Sequence, residues 1–150
     1  MIIALVIPGM FFVIIPPALA VQMSDFVWQN RPLLLFAPSE GDARLQQTKR
    51  ELELRQCDLN DRDMIIGIIT EQGQSRLNNQ PISMSRTKEL RDRYRIEPGQ
   101  FAAILIGKDG GEKERVDTVP DLDSIFALID GMPMRQDEMM QNPVDCSEQS

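Results

Sequence analysis

Two short, uninterrupted apolar runs constrain this chain more than any other feature: Pro32-Leu33-Leu34-Leu35-Phe36-Ala37 and Met64-Ile65-Ile66-Gly67-Ile68-Ile69-Thr70. Each is too short for a buried helix and lacks the polar alternation of a strand wetted on one face. They predict strands covered on both sides. Between them, from about Gly41 to Cys57, Leu45 and Leu52 lie two helical turns apart, Leu54 widens their stripe, and Glu, Gln, Arg and Lys fill the rest. That is the pattern of an amphipathic helix. Strand, helix, strand makes a βαβ unit, whose two strands run parallel.

The boundary signals extend this reading along the chain. Pro38 closes the first run, and Ser39 with Asp42 forms an S-x-x-D helix start in which Ser39 is read as the N-cap. Asp58-Leu59-Asn60-Asp61 ends that helix with turn formers. Gln72 to Ser83, polar and containing Asn78-Asn79 and Pro81, reads as a loop. A helix from about Ser85 to Arg95 places Leu90 and Tyr94 on one face. Phe101 to Ile106 is a third strand, and Asp109-Gly110 marks a hairpin whose two central positions favour φ > 0. Glu112 to Asp117 then reads as an edge strand, since its alternation is poor. Asp121 caps a helix with Leu122, Ile125, Phe126 and Ile129 at i, i+3, i+4 and i+7, and Gly131 and Pro133 end it. Arg135 to Met140 suggests one further turn. The expected fold class is α/β, a minimal thioredoxin-like β-α-β-α-β-β-α with a mixed four-stranded sheet and helices on both faces.

Residues 1–23 carry no charged side chain, and the apolar start ends in Ala18-Leu19-Ala20, an A-x-A pattern. The expected organisation is a signal peptide over 1–20 cleaved between Ala20 and Val21, a lead-in over 21–27, a domain over 28–140 and a flexible tail over 141–150. The rival is a retained membrane anchor, for which Pro8, Gly9 and Pro16-Pro17 make a poor spanning helix. Cleavage makes the protein exported, periplasmic or secreted.

Composition bounds the chemistry. With no histidine there is no Ser-His-Asp or Cys-His nucleophile and no His-ligated zinc. The two cysteines stand 89 positions apart, so no CxxC pair exists. A net charge of −7 lacks the positive field that phosphate backbones require, which argues against nucleic acid as a partner. Met132, Met134, Met139 and Met140 cluster in sequence; thioethers suit Cu(I), but Met also serves as an adaptable apolar filler. Asp61-Arg62-Asp63 reads as a set of surface ion pairs.

Four blocks carry a resemblance. Arg31-Pro32-Leu33-Leu34-Leu35-Phe36-Ala37-Pro38-Ser39, Asp61-Arg62-Asp63-Met64, Leu105-Ile106-Gly107-Lys108-Asp109-Gly110-Gly111 and Ile129-Asp130-Gly131-Met132-Pro133-Met134-Arg135 are similar to the blocks of a bacterial domain family of unknown function. Related domains recur in vertebrate secreted sushi-repeat and extracellular-matrix proteins. The resemblance covers about Trp28 to Met140. It implies a thioredoxin-like fold and export, and it brings no established chemistry.

A thioredoxin-type redox site lies where the first strand meets the first helix, where a helix N-terminus lowers a cysteine's pKa. Here that corner reads Ala37-Pro38-Ser39-Glu40-Gly41-Asp42, without sulfur. The candidate binding residues are Ser39, Asp42 and Arg44 at this corner, and Arg135, which the fourth block includes. Arg135 could clamp a ligand's carboxylate or an acidic side chain of the protein itself. Cys57 and Cys146 form a possible disulfide: both are expected at one end of the domain, the second on a tail able to reach back, although two unpaired thiols are the alternative. No catalytic residue, cofactor or metal is assigned. The expected function is an exported, non-catalytic binding or interaction module, with an unknown exported protein or matrix partner and no membrane contact after cleavage. The alternative is an enzyme using Glu40, Asp42 and Arg44 for acid/base chemistry.

Overall fold

The structure, a computed structural model, describes residues 20–147. The expected signal segment, apart from Ala20, lies outside the described residues. A short 3-10 turn over Met23–Phe26 leads into β1 (Arg31–Ser39), α1 (Ala43–Glu53), α2 (Gln56–Asp61) and β2 (Met64–Gln72). Two two-residue strands follow, β3 (Arg76–Leu77) and β4 (Gln80–Pro81), then α3 (Met84–Arg93), β5 (Ala102–Ile106), β6 (Glu112–Val116), α4 (Leu122–Asp130) and α5 (Pro133–Gln141). The sheet order is β4-β3-β2-β1-β5-β6.

β1 and β2 pair parallel, with Arg31 opposite Met64 and Ala37 opposite Thr70, as the βαβ pattern requires. β5 and β6 pair antiparallel beyond β1. The pleat sends alternate residues of β1 to opposite faces. Leu33, Leu35 and Ala37 pack with Leu45, Leu52 and Leu59 of α1 and α2 and with Leu122, Ile125, Phe126 and Ile129 of α4. Leu34 and Phe36 pack on the other face with Phe26, Leu90 and Tyr94. The first run is therefore buried on both faces; in the second, Ile65 and Ile69 are buried on one face while Ile66 and Ile68 on the other are half-buried, and the thioredoxin-like α/β class holds.

The sheet has six strands, not four. The segment read as a loop turns at Asn78 and Asn79, both with positive φ (49° and 62°), and forms the small β3–β4 hairpin. Two consecutive left-handed residues suit a tight hairpin turn, and Asn tolerates that conformation. The first helix also divides. α1 ends at Glu53, and Leu54, expected on the buried stripe, is 75% exposed. Cys57 accordingly belongs to the separate helix α2 rather than ending the first. The last turn is a nine-residue helix, α5, with Pro133 in its first turn, where a missing N–H costs nothing.

Candidate functional site

In α/β folds of this kind, chemistry is sought at the carboxyl ends of the parallel strands. Here that corner is occupied by a self-contained ion pair. Ser39 is the last residue of β1 and does not cap α1; Asp42 does, accepting the N–H of Arg44 at 2.9 Å and of Leu45 at 3.4 Å. Asp42 also accepts Arg44 Nε at 3.0 Å and Nη2 at 2.7 Å. The Arg44 guanidinium lies 5.0 Å over the Phe101 ring. Its hydrogen bonds hold the Asp42 carboxyl below the usual carboxylate range, outweighing desolvation. A general acid near neutral pH needs the opposite shift.

The other end of the sheet gathers the charged residues of all four sequence blocks. Arg31 begins β1 and is 1% exposed; its Nη1 and Nη2 grip Glu138 of α5 at 3.0 and 3.1 Å. Nη1 also donates to the carbonyl of Arg62 at 3.0 Å. Arg62 reaches Asp130 at the end of α4 through Nε at 3.1 Å and Nη2 at 2.7 Å, and Asp58 in α2 through Nη1. Its guanidinium lies 4.6 Å over the Phe126 ring. The Asp61-Arg62-Asp63 segment is therefore a partly buried crosslink, not the surface set expected. Lys108 donates to Asp63 at 2.7 Å and to Glu138 at 2.6 Å.

Arg135 sits inside this network. It is 3% exposed, donates to Asp130 at 3.0 Å through Nε, and binds both the carbonyl and the carboxylate of Asp61. Its partners are the protein's own carboxylates. Burial pushes the Asp130 carboxyl up, but the hydrogen bonds from Arg62 and Arg135 leave it lowered overall. Glu138 behaves the same way: burial raises it, and Arg31 and Lys108 bring it below its ordinary value. Buried charges are tolerated only when paired and hydrogen-bonded in this manner.

The disulfide lies at this end too. Cys57 in α2 is joined to Cys146. The segment read as a free tail is thus tethered one residue before the end of the described chain, at Ser147. Among its described residues from Gln141, Cys146 is the one that is half-buried, the others being exposed.

Beside the network opens a pocket of about 330 Å³, lined by Trp28, Arg31, Lys108 and the Met132-Pro133-Met134 joint between α4 and α5. Lys108 belongs to the hairpin turn between β5 and β6. In that turn Gly110 has φ +81° while Asp109 does not adopt positive φ; instead Asp109 accepts the N–H of Gly111 at 3.0 Å. The turn is therefore a type I turn closed by a left-handed glycine, and not the doubly left-handed turn expected. Of the four clustered methionines, Met132 and Met134 line the pocket and Met140 is 76% exposed on α5.

Sequence reasoning missed Arg31, Lys108, Asp130 and Glu138 as one group and gave Trp28, the first residue of the expected domain, no role. The signal for the first three was present: each stands in one of the four blocks, and strand polarity sends those blocks to one end.

Comparison with known proteins agrees with the fold. The chain is 15% identical to the reduced 2-Cys peroxiredoxin of Plasmodium vivax, covering 78% of this chain and 85% of that one, with a TM-score of 0.59. Plasmodium yoelii Prx1a gives 17% identity, 87% and 86% coverage and a TM-score of 0.55. These likenesses are of fold. By sequence, the chain is 26% identical over 140 residues to coiled-coil domain-containing protein 80 of Danio rerio and 28% identical over 122 residues to sushi repeat-containing protein SRPX2 of Xenopus laevis. These alignments cover 83% and 79% of this chain but only 16% and 27% of those relatives. The model of a domain of unknown function, DUF4174, matches residues 22–138, and the chain accordingly belongs to the DUF4174 family.

Proposed function

We propose that this chain is an exported, non-catalytic thioredoxin-fold module that acts by binding. One observation carries the reading: the corner where this fold performs thiol chemistry holds a closed Asp42–Arg44 pair and no sulfur, while the two cysteines are bonded to each other at the opposite end. The lowered Asp42 carboxyl weighs against the acid/base enzyme. Export is supported by the apolar start ending in Ala18-Leu19-Ala20 and by a disulfide, which persists in oxidising compartments. The sushi repeat-containing relative fits the same reading. Binding in turn supports an exported or matrix partner.

The test has two parts. Purified protein is assayed for insulin reduction; none is expected, and turnover that disappears in Cys57→Ser would overturn the reading. The fractionated protein is then sequenced from its N-terminus, with Val21 expected first; a chain starting at Met1 and sedimenting with membranes would refute export.

A further inference from the structure

We propose that the pocket between Trp28 and the Met132-Pro133-Met134 joint binds a small uncharged ligand with a flat aromatic body. The proposal rests on reading the domain as a binding module and assigns that module a ligand class.

Trp28 carries a side chain that the fold itself does not use. Its backbone stands at φ +65°, a left-handed conformation unfavourable for a bulky residue and free of cost for glycine. The backbone is fixed there by the Trp28 N–H, which donates to the Lys108 carbonyl at 2.6 Å. Any residue except proline makes that bond. Phe26 anchors this segment in the core, whereas Trp28 belongs to neither core cluster and stays 64% exposed. The indole therefore adds strain without burial. Strain of this kind is concentrated at ligand sites, and exposed apolar groups that cluster mark binding surfaces.

The walls around Trp28 fit one kind of ligand body. Trp28 lines the pocket of about 330 Å³ together with Met132, Pro133 and Met134, and Met134 is itself 43% exposed. An aromatic ring packs on an indole in offset or edge-to-face geometry. The same ring takes a thioether sulfur at its edge. The volume is at the low end for small-molecule sites and suits a single ring with a short arm.

The charges around the pocket set the charge of the ligand. Each lining cation is already paired: Arg31 with Glu138, Lys108 with Asp63 and Glu138, and Lys113 with Asp109 at 2.7 Å. The lining carboxylate, Asp109, is spent in the same pair. An ionised ligand of either sign gives up hydration on entry and finds no free counter-charge. An uncharged ring bears no such cost.

Trp28 is the chain's one tryptophan, so its emission reports on this pocket alone. The disulfide-intact protein is titrated with phenylacetamide, with phenylacetate as its anionic counterpart, phenethylammonium as a cationic one and acetamide as the ring-free control. A saturable change in Trp28 emission is expected with phenylacetamide at millimolar concentration. The two ions should bind about threefold more weakly, and acetamide should give no response. Trp28→Gly is then compared with the wild-type protein by saturation-transfer NMR to phenylacetamide and by urea midpoint. Transfer should be lost while the midpoint stays level or rises, because glycine releases the backbone strain. No saturable response up to about 10 mM, or either ion binding as tightly as the amide, would overturn the proposal. So would transfer that survives Trp28→Gly, or a lower midpoint in that variant, which would make the indole a part of the fold. Insulin turnover would instead defeat the binding-module reading, whatever the titration gives.

Discussion

The two ends of the sheet spend charge differently. At the carboxyl end of β1, Asp42 and Arg44, two residues apart, satisfy each other, and Arg44 stays partly exposed. At the amino end, Arg31, Arg62, Lys108 and Arg135 are laced to Asp58, Asp61, Asp63, Asp130 and Glu138 from five separate segments. The first arrangement is local and closes a helix terminus. The second joins β1, α2, the β5–β6 turn, α4 and α5, and its cations are nearly buried. An exposed pair contributes little, whereas a buried network is costly to break. Architecture, not residue type, sets what each arginine is worth.

The comparison is broken most severely at Arg135. Arg135→Ala takes the closest cation from the nearly buried Asp61 and one of two arginines from Asp130. We expect a loss of about 3–5 kcal/mol, read as a fall in the urea midpoint at unchanged slope. A loss under about 1 kcal/mol would place this network on a par with surface pairs. Acid should reveal the same network. Asp130 and Glu138 are lowered in the folded protein, so their contribution is present above the ordinary carboxylate values of 3.8 and 4.5 and is lost as pH falls through and below them. Stability should therefore be level from about pH 7 to 5 and then decline, with a shallower decline in Arg135→Ala. Urea midpoints across that range check both statements.

Cys57→Ser comes next. The bond closes a loop across 89 positions in the unfolded chain, but in the folded protein it restrains only the few residues between α5 and Cys146. The difference in closure entropy is about 2–3 kcal/mol, and the urea midpoint should fall accordingly. Free-thiol counting on denatured, non-reduced wild-type protein should find none; two thiols per chain would remove the tether.

The corner should respond least. Asp42→Ala removes the α1 cap, for a loss of about 1 kcal/mol, while Ser39→Ala should fall within about 0.5 kcal/mol. Thermal midpoints of the two variants, measured side by side, sharpen the contrast. A larger loss at Ser39 than at Asp42 would restore Ser39 as the cap.

The strands, their parallel pairing and the α4 stripe were legible because buried strands need continuous apolar runs and a packed helix needs one apolar face. Leu33 to Ala37, and Leu122, Ile125, Phe126 and Ile129, lie in the core as their spacing requires. The β3–β4 hairpin was not legible, since strands of two residues are too short for any period to show. The break at Leu54 was also hidden. Leucine favours a helix at either kind of position, and only the packing around α1 and α2 leaves it outside.

Sequence alone determined that this chain folds as a thioredoxin-like α/β domain with no thiol at the customary corner. It also placed Cys57 and Cys146 within reach of one another, leaving open whether they pair. Tertiary structure decided the use of the charges. Nothing in the spelling Asp61-Arg62-Asp63 separates a solvated turn from a buried crosslink, nor does Met132-Pro133-Met134-Arg135 announce a ligand's clamp or an internal tie. An arginine's partners lie tens of residues away, 68 for Arg62 with Asp130 and 107 for Arg31 with Glu138. Periodicity reports only on neighbours within a turn or a pleat. Long-range electrostatic pairing becomes visible only when the fold has brought those segments to one end of one sheet.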